Sequence, residues 1–214
     1  MRPGVAGTRC YCAGMSSMSR TKGTRPSLLE SHNPATGEVI GTVSINTPEQ
    51  VHQAVARAQE AFGPWSELSH EDRREQLILW RRNLAAHAED IAELIHLENG
   101  KPLIDAMSEV FASLNHLHHA AMRAEKAMRS RSVSPGLLKN IKASVGYHPL
   151  GVVAVIGPWN YPMITPFGSI AYALAAGNAV VFKPSELTSL VGQRLVELAN
   201  ECMSVPNVLQ VVTG

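Results

Sequence analysis

The side chains best placed for chemistry in this 214-residue chain follow two short apolar runs. Residues 157–162 (Gly-Pro-Trp-Asn-Tyr-Pro) come directly after the run 150–156, and residues 183–186 (Lys-Pro-Ser-Glu) come directly after the run 179–182. They offer an amide at Asn160, an ammonium group at Lys183 and a carboxylate at Glu186, all of which bind ligands through hydrogen bonds or charge. Because ligands of open α/β sheets bind beyond the carboxyl ends of the strands, we expect a site here.

The same residue types also have structural uses. Asn160 lies among aromatic and proline residues in a segment with the composition of a turn, where asparagine often caps the backbone. Lys183 and Glu186 would ordinarily be a solvated pair before a helix, since the helix dipole favours a carboxylate near an N-terminus. The residues alone therefore leave a binding role and a structural role open.

Two other groups of reactive side chains are weaker candidates. His116, His118 and His119 cluster on one predicted helix, but no carboxylate or cysteine nearby in the sequence completes a metal-ligand set, which favours a solvated helix face. Cys202 follows Leu195 and Leu198 in an apolar helix pattern and is expected to be a small core residue. No G-x-G-x-x-G, P-loop, H-E-x-x-H or G-x-S-x-G motif occurs in the sequence.

A parallel sheet is the element expected to position the two polar segments. Residues 143–182 contain no Asp, Glu, Lys or Arg, yet four prolines interrupt them, whereas a membrane span needs about twenty apolar residues in an unbroken helix. The pattern instead predicts strands over 150–156, 179–182 and 208–212, with helices over 165–176 and 188–202. β-branched runs that alternate with helices predict an α/β fold, here a βαβαβ unit that forms the first half of a doubly wound, Rossmann-like parallel sheet.

The sequence pattern of the first half of the chain predicts a layer of helices. Residues 28–45 offer two strand-like pieces around the turn at 33–37 (Asn-Pro-Ala-Thr-Gly), which indicates a strand pair. Residues 47–50 (Thr-Pro-Glu-Gln) have the hydroxyl, proline and glutamine of a helix N-terminus, and Gly63-Pro64 is expected to end that helix. A longer helix is predicted from Ser69 to the stop at residues 99–102 (Asn-Gly-Lys-Pro), and a third over about 103–128.

Composition sets the domain boundaries. Residues 1–27 carry five basic residues and no acidic one, so we expect a disordered or mis-started leader, with a mitochondrial transit peptide as the alternative and a secretory signal excluded. Residues 28–140 form the helical part with its strand pair, 141–149 an alternating strand of the half-exposed kind, and 150–214 the incomplete Rossmann-like half.

Charge and cysteine content limit the classes of partner. Nineteen basic and eighteen acidic residues give a net charge of +1, without the concentrated positive charge that nucleic-acid binding needs. Three cysteines cannot staple a domain of this size, and they fit a reducing, cytoplasmic location. We therefore expect no nucleic-acid partner, no membrane span and no disulfide scaffold.

Three motifs in order resemble the aldehyde dehydrogenase family. They are residues 156–162 (Ile-Gly-Pro-Trp-Asn-Tyr-Pro), 173–178 (Ala-Leu-Ala-Ala-Gly-Asn) and 182–186 (Phe-Lys-Pro-Ser-Glu). The segments 33–37 and 98–102 (Glu-Asn-Gly-Lys-Pro) are also similar to N-terminal segments of that family. The resemblance runs from about residue 28 to the last residue.

The resemblance implies a role for each candidate residue. Asn160 would be the oxyanion-hole amide, and Lys183, Ser185 and Glu186 would hold the adenosine ribose of the cofactor, with Pro158 and Trp159 lining the same site. A carboxylate at the ribose would repel a 2′-phosphate, so the resemblance implies NAD rather than NADP. The implied reaction is oxidation of an aldehyde to a carboxylic acid.

Several implied parts of the enzyme lie outside this sequence. In the family, the thiol nucleophile, the glutamate general base and the Gly-rich phosphate turn come further along the chain. We therefore expect a truncated chain that is inactive alone. The alternatives are a catalytically inactive nucleotide-binding or interaction fragment, and an acylating or semialdehyde-specific branch of the family.

Two residues depart from the family pattern, and one segment implies assembly. Ser169 stands where the family often has lysine, and Tyr172 where proline is usual, which indicates a divergent branch and places a proton-relay role at that position in doubt. Residues 141–149 resemble the oligomerisation strand of the family, so a homo-oligomer is expected for the complete protein.

Overall fold

The hairpin expected near the start of the folded region is present. The protein's structure, a computed structural model, describes residues 28–138 and 140–214, so the expected leader over 1–27 lies outside the described residues. Strands β1 (Leu28–His32) and β2 (Val39–Ser44) pair antiparallel. Between them, the backbone N–H of Gly37 donates to the carbonyl of Asn33 at 2.7 Å, which closes the turn.

The next helix begins as predicted and ends later than predicted. In α1 (Pro48–Glu67), Gln50 N donates to Thr47 Oγ1 at 3.3 Å and Thr47 N donates to Gln50 Oε1 at 2.8 Å, a complete capping box. The prediction that Gly63-Pro64 ends the helix is wrong, since α1 continues through Pro64 for another three residues. Trp65 explains the extension, because its ring is fully buried and its Nε1–H donates to the carbonyl of Leu174 at 3.0 Å.

The single long helix predicted from Ser69 to residue 99 is in fact two helices. α2 (His70–Ala86) is capped by Ser69, whose hydroxyl accepts from Asp72 N, and α3 (Ala88–Asn99) follows after a break at His87. His87 adopts φ −109° and ψ 20°, and its Nδ1 lies 2.9 Å from the carbonyl of Asn83, so a local contact marks the break. α4 (Leu103–Met128) has the predicted bounds.

The strand expected over 141–149 is shorter than predicted. β3 (Arg131–Val133), which the sequence did not predict, pairs antiparallel with β4 (Ala143–Val145). Gly146 and Pro149 follow β4, and proline offers no N–H to a ladder, which limits the strand.

The βαβαβ unit is present, with bounds within three residues of those expected. β5 (Val152–Ile156), α5 (Ile164–Ala175), β6 (Ala179–Lys183), α6 (Ser189–Asn200) and β7 (Leu209–Val211) form a parallel sheet in the order β5-β6-β7. Asn178 ties the unit together: its Oδ1 accepts from the backbone N–H groups of Leu150 and Gly151, and its Nδ2 donates to the carbonyl of Ala173.

The sheet and the helical layer share one core. α1, α5 and α6 contact the sheet directly, while α2, α3 and α4 pack against α5 or α6. The largest fully buried side chains come from both layers: Trp65, Trp80, Phe167, Phe182, Leu77, Leu84, Ile91 and Ile95. Within the described residues, no helix is both long and apolar enough to cross a bilayer.

A buried arginine joins the carboxyl ends of two helices. Arg73 donates from Nε to the carbonyl of Ala175 at 3.2 Å and from its NH1 group to the carbonyls of Trp65 and Leu68 at 3.0 and 3.2 Å. The carbonyls at helix C-termini carry partial negative charge, so the guanidinium satisfies them in place of a carboxylate.

We predict that Arg73→Met lowers the free energy of unfolding by about 3 kcal/mol, because buried carbonyls lose their donor. Urea unfolding of the 214-residue chain measures the change. Arg82→Met, on the exposed face of the same helix, is the matched control and should change the value by less than about 0.5 kcal/mol. Equal effects of the two substitutions would contradict the role given to Arg73.

Candidate functional site

The two predicted polar segments leave the same edge of the sheet side by side. Ile156, the last residue of β5, is paired with Lys183, the last residue of β6, and Gly157 N donates to the carbonyl of Lys183 at 2.9 Å. A Cβ atom at Gly157 would lie 3.0 Å from the Phe182 ring and 3.1 Å from Pro166, so the crossing of these segments favours glycine. The sheet therefore brings both segments together, as expected for parallel strands.

The candidate ligand-binding groups differ in exposure. Asn160, Glu186 and Trp159 are exposed, and Trp159 presents 55% of its surface to solvent. Pro158 and Lys183 are half-buried, and Ser185 is buried.

The Lys183–Glu186 segment is ordered by its own hydrogen bonds. Lys183 Nζ donates to the carbonyl of Pro184 at 3.0 Å, and Ser185 Oγ accepts from Leu187 N at 3.2 Å and donates to Glu186 Oε2 at 3.3 Å. Hydrogen bonding by its own backbone N–H, then by Ser185, lowers the pKa of Glu186, and the charge of Lys183 adds to this. Glu186 is therefore an exposed carboxylate that stays ionised.

A buried carboxylate from the helical layer holds the start of α5. Glu109 Oε1 accepts from the backbone N–H groups of Met163 and Ile164 at 2.9 and 3.0 Å, and Glu109 Oε2 accepts from Lys101 Nζ at 2.5 Å. Lys101 Nζ also donates to the carbonyl of Asn160 at 3.0 Å. The N-terminus of α5 is thus fixed by Glu109 of α4, and the segment before it by Lys101, which precedes α4.

A second buried carboxylate does the same for α6. Glu98 Oε1 accepts from Ser31 Oγ and from Leu190 N, both at 2.8 Å, and its Oε2 accepts from Val191 N at 2.9 Å. Burial raises the pKa of Glu98, and these hydrogen bonds offset part of the rise. The cap joins β1, α3 and the first turn of α6.

Two cavities flank the exposed loop. One of about 480 Å³ is lined by Asn160, Tyr161 and the α4 residues Asp105 and Ser108, among others. The other, of about 300 Å³, lies between the β1 segment and the start of α6, with Trp159 and Glu186 in its wall. Asn160 and Glu186 therefore face two different spaces on the two sides of Trp159.

The weaker candidates do not join this site. His116 and His119 contact Tyr172 edge to face, and His116 Nδ1 lies 3.1 Å from the Tyr172 hydroxyl. Among the described residues, no group of three His, Cys, Asp or Glu side chains could hold a metal. Cys202 donates to the carbonyls of Leu198 and Ala199, and burial followed by the charge of Glu201 raises its pKa, so its thiol is poorly suited to nucleophilic attack.

Sequence reasoning missed the residues that hold the loop. Asn99, which donates to the carbonyl of Trp159 at 2.7 Å, and Lys101 lie in the segment 98–102, for which the sequence predicts a helix stop and a family likeness but no contact with the loop. Glu98 belongs to the same segment, and Glu109 is a charged residue on a buried helix face. In the sequence, the sign that could have revealed these two glutamates is a charged residue at a helix position where the pattern is otherwise apolar.

Comparison with known proteins identifies relatives of one kind. The model of the aldehyde dehydrogenase family matches residues 21–214. Malonate-semialdehyde dehydrogenase 1 of Oceanobacillus iheyensis is 40% identical over 182 residues, covering 85% of this chain and 37% of that protein. Malonate-semialdehyde dehydrogenase 1 of Geobacillus thermodenitrificans is 36% identical over 214 residues, covering 100% of this chain and 43% of that protein. The chain thus spans about two fifths of the length of these relatives.

Solved structures have the same fold as this chain. An NAD-dependent aldehyde dehydrogenase from Sinorhizobium meliloti matches with a TM-score of 0.82 and 34% identity, over 88% of this chain and 38% of that one. The NADP-dependent glyceraldehyde-3-phosphate dehydrogenase of Bacillus halodurans C-125, solved with NADP, matches with a TM-score of 0.83 and 32% identity, over 88% and 40% of the two chains. These structures include proteins described as dependent on NAD and on NADP.

The raised pKa of Glu98 predicts how the cap responds to pH. A folded pKa above the unfolded value of about 4.5 gives stability that is fully present below that value and is lost as the pH rises through the folded pKa. Glu98→Gln removes this titration and weakens the cap, which costs about 2 kcal/mol. The stability advantage of the wild type over Glu98→Gln should therefore be larger at pH 4.5 than at pH 7.

Urea unfolding at several pH values measures this difference. Glu93→Gln, an exposed substitution on the same helix, is the matched control and should show neither the cost nor the pH dependence. A stability advantage of the wild type over Glu98→Gln that stays constant or grows toward pH 7 would contradict a raised pKa at Glu98.

Proposed function

The chain belongs to the aldehyde dehydrogenase family, and we propose that it supplies the oxyanion donor and the adenosine end of the cofactor site for oxidation of an aldehyde to a carboxylic acid. The observation that carries the proposal is the placement of Asn160 and Glu186. Both are exposed, and they follow the adjacent parallel strands β5 and β6 at one edge of the sheet.

Asn160 would act by hydrogen bonding. When a thiolate adds to an aldehyde, negative charge develops on the carbonyl oxygen, and an amide N–H aimed at that oxygen stabilises it by about 2.7–4 kcal/mol. The side-chain amide of Asn160 is exposed, whereas its backbone carbonyl is held by Lys101. The backbone of Asn160 is therefore held in place while its side-chain amide stays available to donate to a substrate.

The residues after β6 fit the adenosine end of a dinucleotide. The Glu186 carboxylate is ionised and exposed, so it can accept hydrogen bonds from ribose hydroxyls beside Trp159, Pro158 and Lys183. The first-turn N–H groups of α6 at Leu190 and Val191 are taken by Glu98, so this helix is not free to bind a pyrophosphate. NAD, when bound, supplies the hydride acceptor.

We propose NAD as the preferred acceptor over NADP. The lowered pKa of Glu186 keeps a negative charge at the place proposed for the ribose, and that charge would repel a 2′-phosphate. The relatives themselves include proteins described as dependent on either cofactor, so the argument rests on this carboxylate.

The activity of the whole enzyme is proposed from the family. The thiol nucleophile and the glutamate base would come from a part of the enzyme beyond these 214 residues, so we propose that this chain alone does not turn over. The names of its relatives make a short semialdehyde the first substrate to test.

We also propose a cytoplasmic location and a homo-oligomer paired through residues 141–149, where Tyr147 is half exposed.

We predict that the 214-residue chain binds NAD, and that Glu186→Ala weakens binding about tenfold through the loss of a charge-assisted hydrogen bond. The same variant should narrow the preference for NAD over NADP, because it removes the repelling charge. Isothermal titration with each cofactor measures both effects.

Glu93→Ala, an exposed glutamate far along the sequence from this site, is the matched control and should bind as the wild type does. A folded wild-type chain that binds neither cofactor would reject the proposed cofactor site. Equal loss for NAD and NADP in Glu186→Ala would reject the proposed basis of the preference.

A further inference from the structure

Two residues contact the loop that carries Asn160: Asn99, the last residue of α3, and Lys101, in the connection between α3 and α4. Asn99 Nδ2 donates to the carbonyl of Trp159 at 2.7 Å, and Lys101 Nζ donates to the carbonyl of Asn160 at 3.0 Å. We propose that Asn99 and Lys101 are positioning residues that set the direction of the Asn160 side chain. This proposal rests on the proposed function of Asn160 and deepens it.

Peptide planarity turns these two contacts into a constraint on one side chain. The carbonyl of Trp159 belongs to the peptide plane before the Asn160 Cα atom, and the carbonyl of Asn160 belongs to the plane after it. When both planes are fixed, the backbone dihedral angles of Asn160 are fixed, and the direction of its Cα–Cβ bond follows. Both contacts use backbone carbonyls, so neither occupies the side-chain amide.

The ammonium group of Lys101 makes most of its contacts within the protein. It has three N–H donors: one bonds Glu109 Oε2 at 2.5 Å, one bonds the carbonyl of Asn160, and the group lies 4.4 Å from the centre of the Tyr161 ring. Although Lys101 borders the 480 Å³ cavity beside Asn160, two of its three donors already bond protein oxygens and its charge is paired with Glu109. A positioning role therefore fits better than substrate binding.

The position of that ammonium group is itself fixed. Glu109 is buried, and its other oxygen binds Met163 N and Ile164 N, so the ion pair is anchored to α4 and to the start of α5. Gly100, between the two positioning residues, has φ +80°, and a Cβ atom there would lie 2.7 Å from Pro34 Cγ. The end of α3 and the residues after it therefore present Asn99 and Lys101 from a rigid support.

Backbone ¹⁵N relaxation of the 214-residue chain tests the proposal. In the wild type, the order parameter of Asn160 should be near 0.85, the value of rigid backbone, and Lys101→Met should lower it below about 0.6. Lys101→Arg keeps the cation and should restore most of the order. Lys126→Met, an exposed lysine on α4, is the matched control and should leave Asn160 unchanged.

A role of Lys101 in stability alone gives a different result. In that case Lys101→Met would lower the urea midpoint while Asn160 kept its wild-type order parameter, and the proposal would be overturned. If Lys101→Met does not fold, Asn99→Ala decides by the same measurement at Trp159 and Asn160, with rigid values overturning the proposal.

The cofactor proposal fails separately from this one. A wild-type chain that binds no NAD would reject the proposed cofactor site. The order parameter of Asn160, in the wild type and in the Lys101 and Asn99 variants, would still test the positioning role. Conversely, a chain that binds NAD with an unchanged Asn160 in Lys101→Met would reject only the positioning role.

Discussion

Two buried carboxylates on either side of Gly100 hold the two layers of this fold together. Glu98, near the end of α3, caps the first turn of α6, and Glu109, in α4, caps the first turn of α5. Helix N-termini carry unsatisfied N–H groups, so a buried carboxyl group that accepts from two of them is a strong partner. Removing either carboxylate would leave buried donors without partners, which costs more than the hydrogen bond contributes when it is made. The caps join α4 to α5 and α3 to α6, and α5 and α6 pack on the sheet.

The caps also determine what the strand-end loops can do. In many nucleotide-binding folds, a helix N-terminus after a parallel strand binds phosphate, but here the protein's own glutamates occupy those N–H groups. The groups left for a ligand are side chains on the loops themselves, chiefly the amide of Asn160 and the carboxylate of Glu186. The helical layer therefore supports the loops without filling the space in front of them. This arrangement suits a site that must present an amide and a carboxylate in fixed directions.

The sequence predicted the sheet well because local pattern and tertiary packing agree there. The β-branched runs at 152–156 and 179–183 form parallel strands, of which the second is buried along most of its length, and the polar residues after them lie at one sheet edge as parallel pairing requires. Prediction failed where a distant contact overrode a local rule. Pro64 lies inside α1 because Trp65 is buried against α5, and His87 divides a helix that no glycine or proline marks. Glu98 and Glu109 escaped notice because the helix N–H groups that they cap are more than fifty residues away, a separation at which periodicity carries no information.

Amide hydrogen exchange on the wild-type chain tests the central claim most directly, since no variant is needed. First-turn amides of a helix normally exchange quickly because they lack intrahelical partners. If the two glutamates hold both layers together, the amides of Met163, Ile164, Leu190 and Val191 will be protected as strongly as the core of the sheet. Glu89 and Asp90, in the first turn of α3, which has no side-chain cap, will exchange quickly. Fast exchange at 163–164 and 190–191, at the rate seen in α3, would contradict the account.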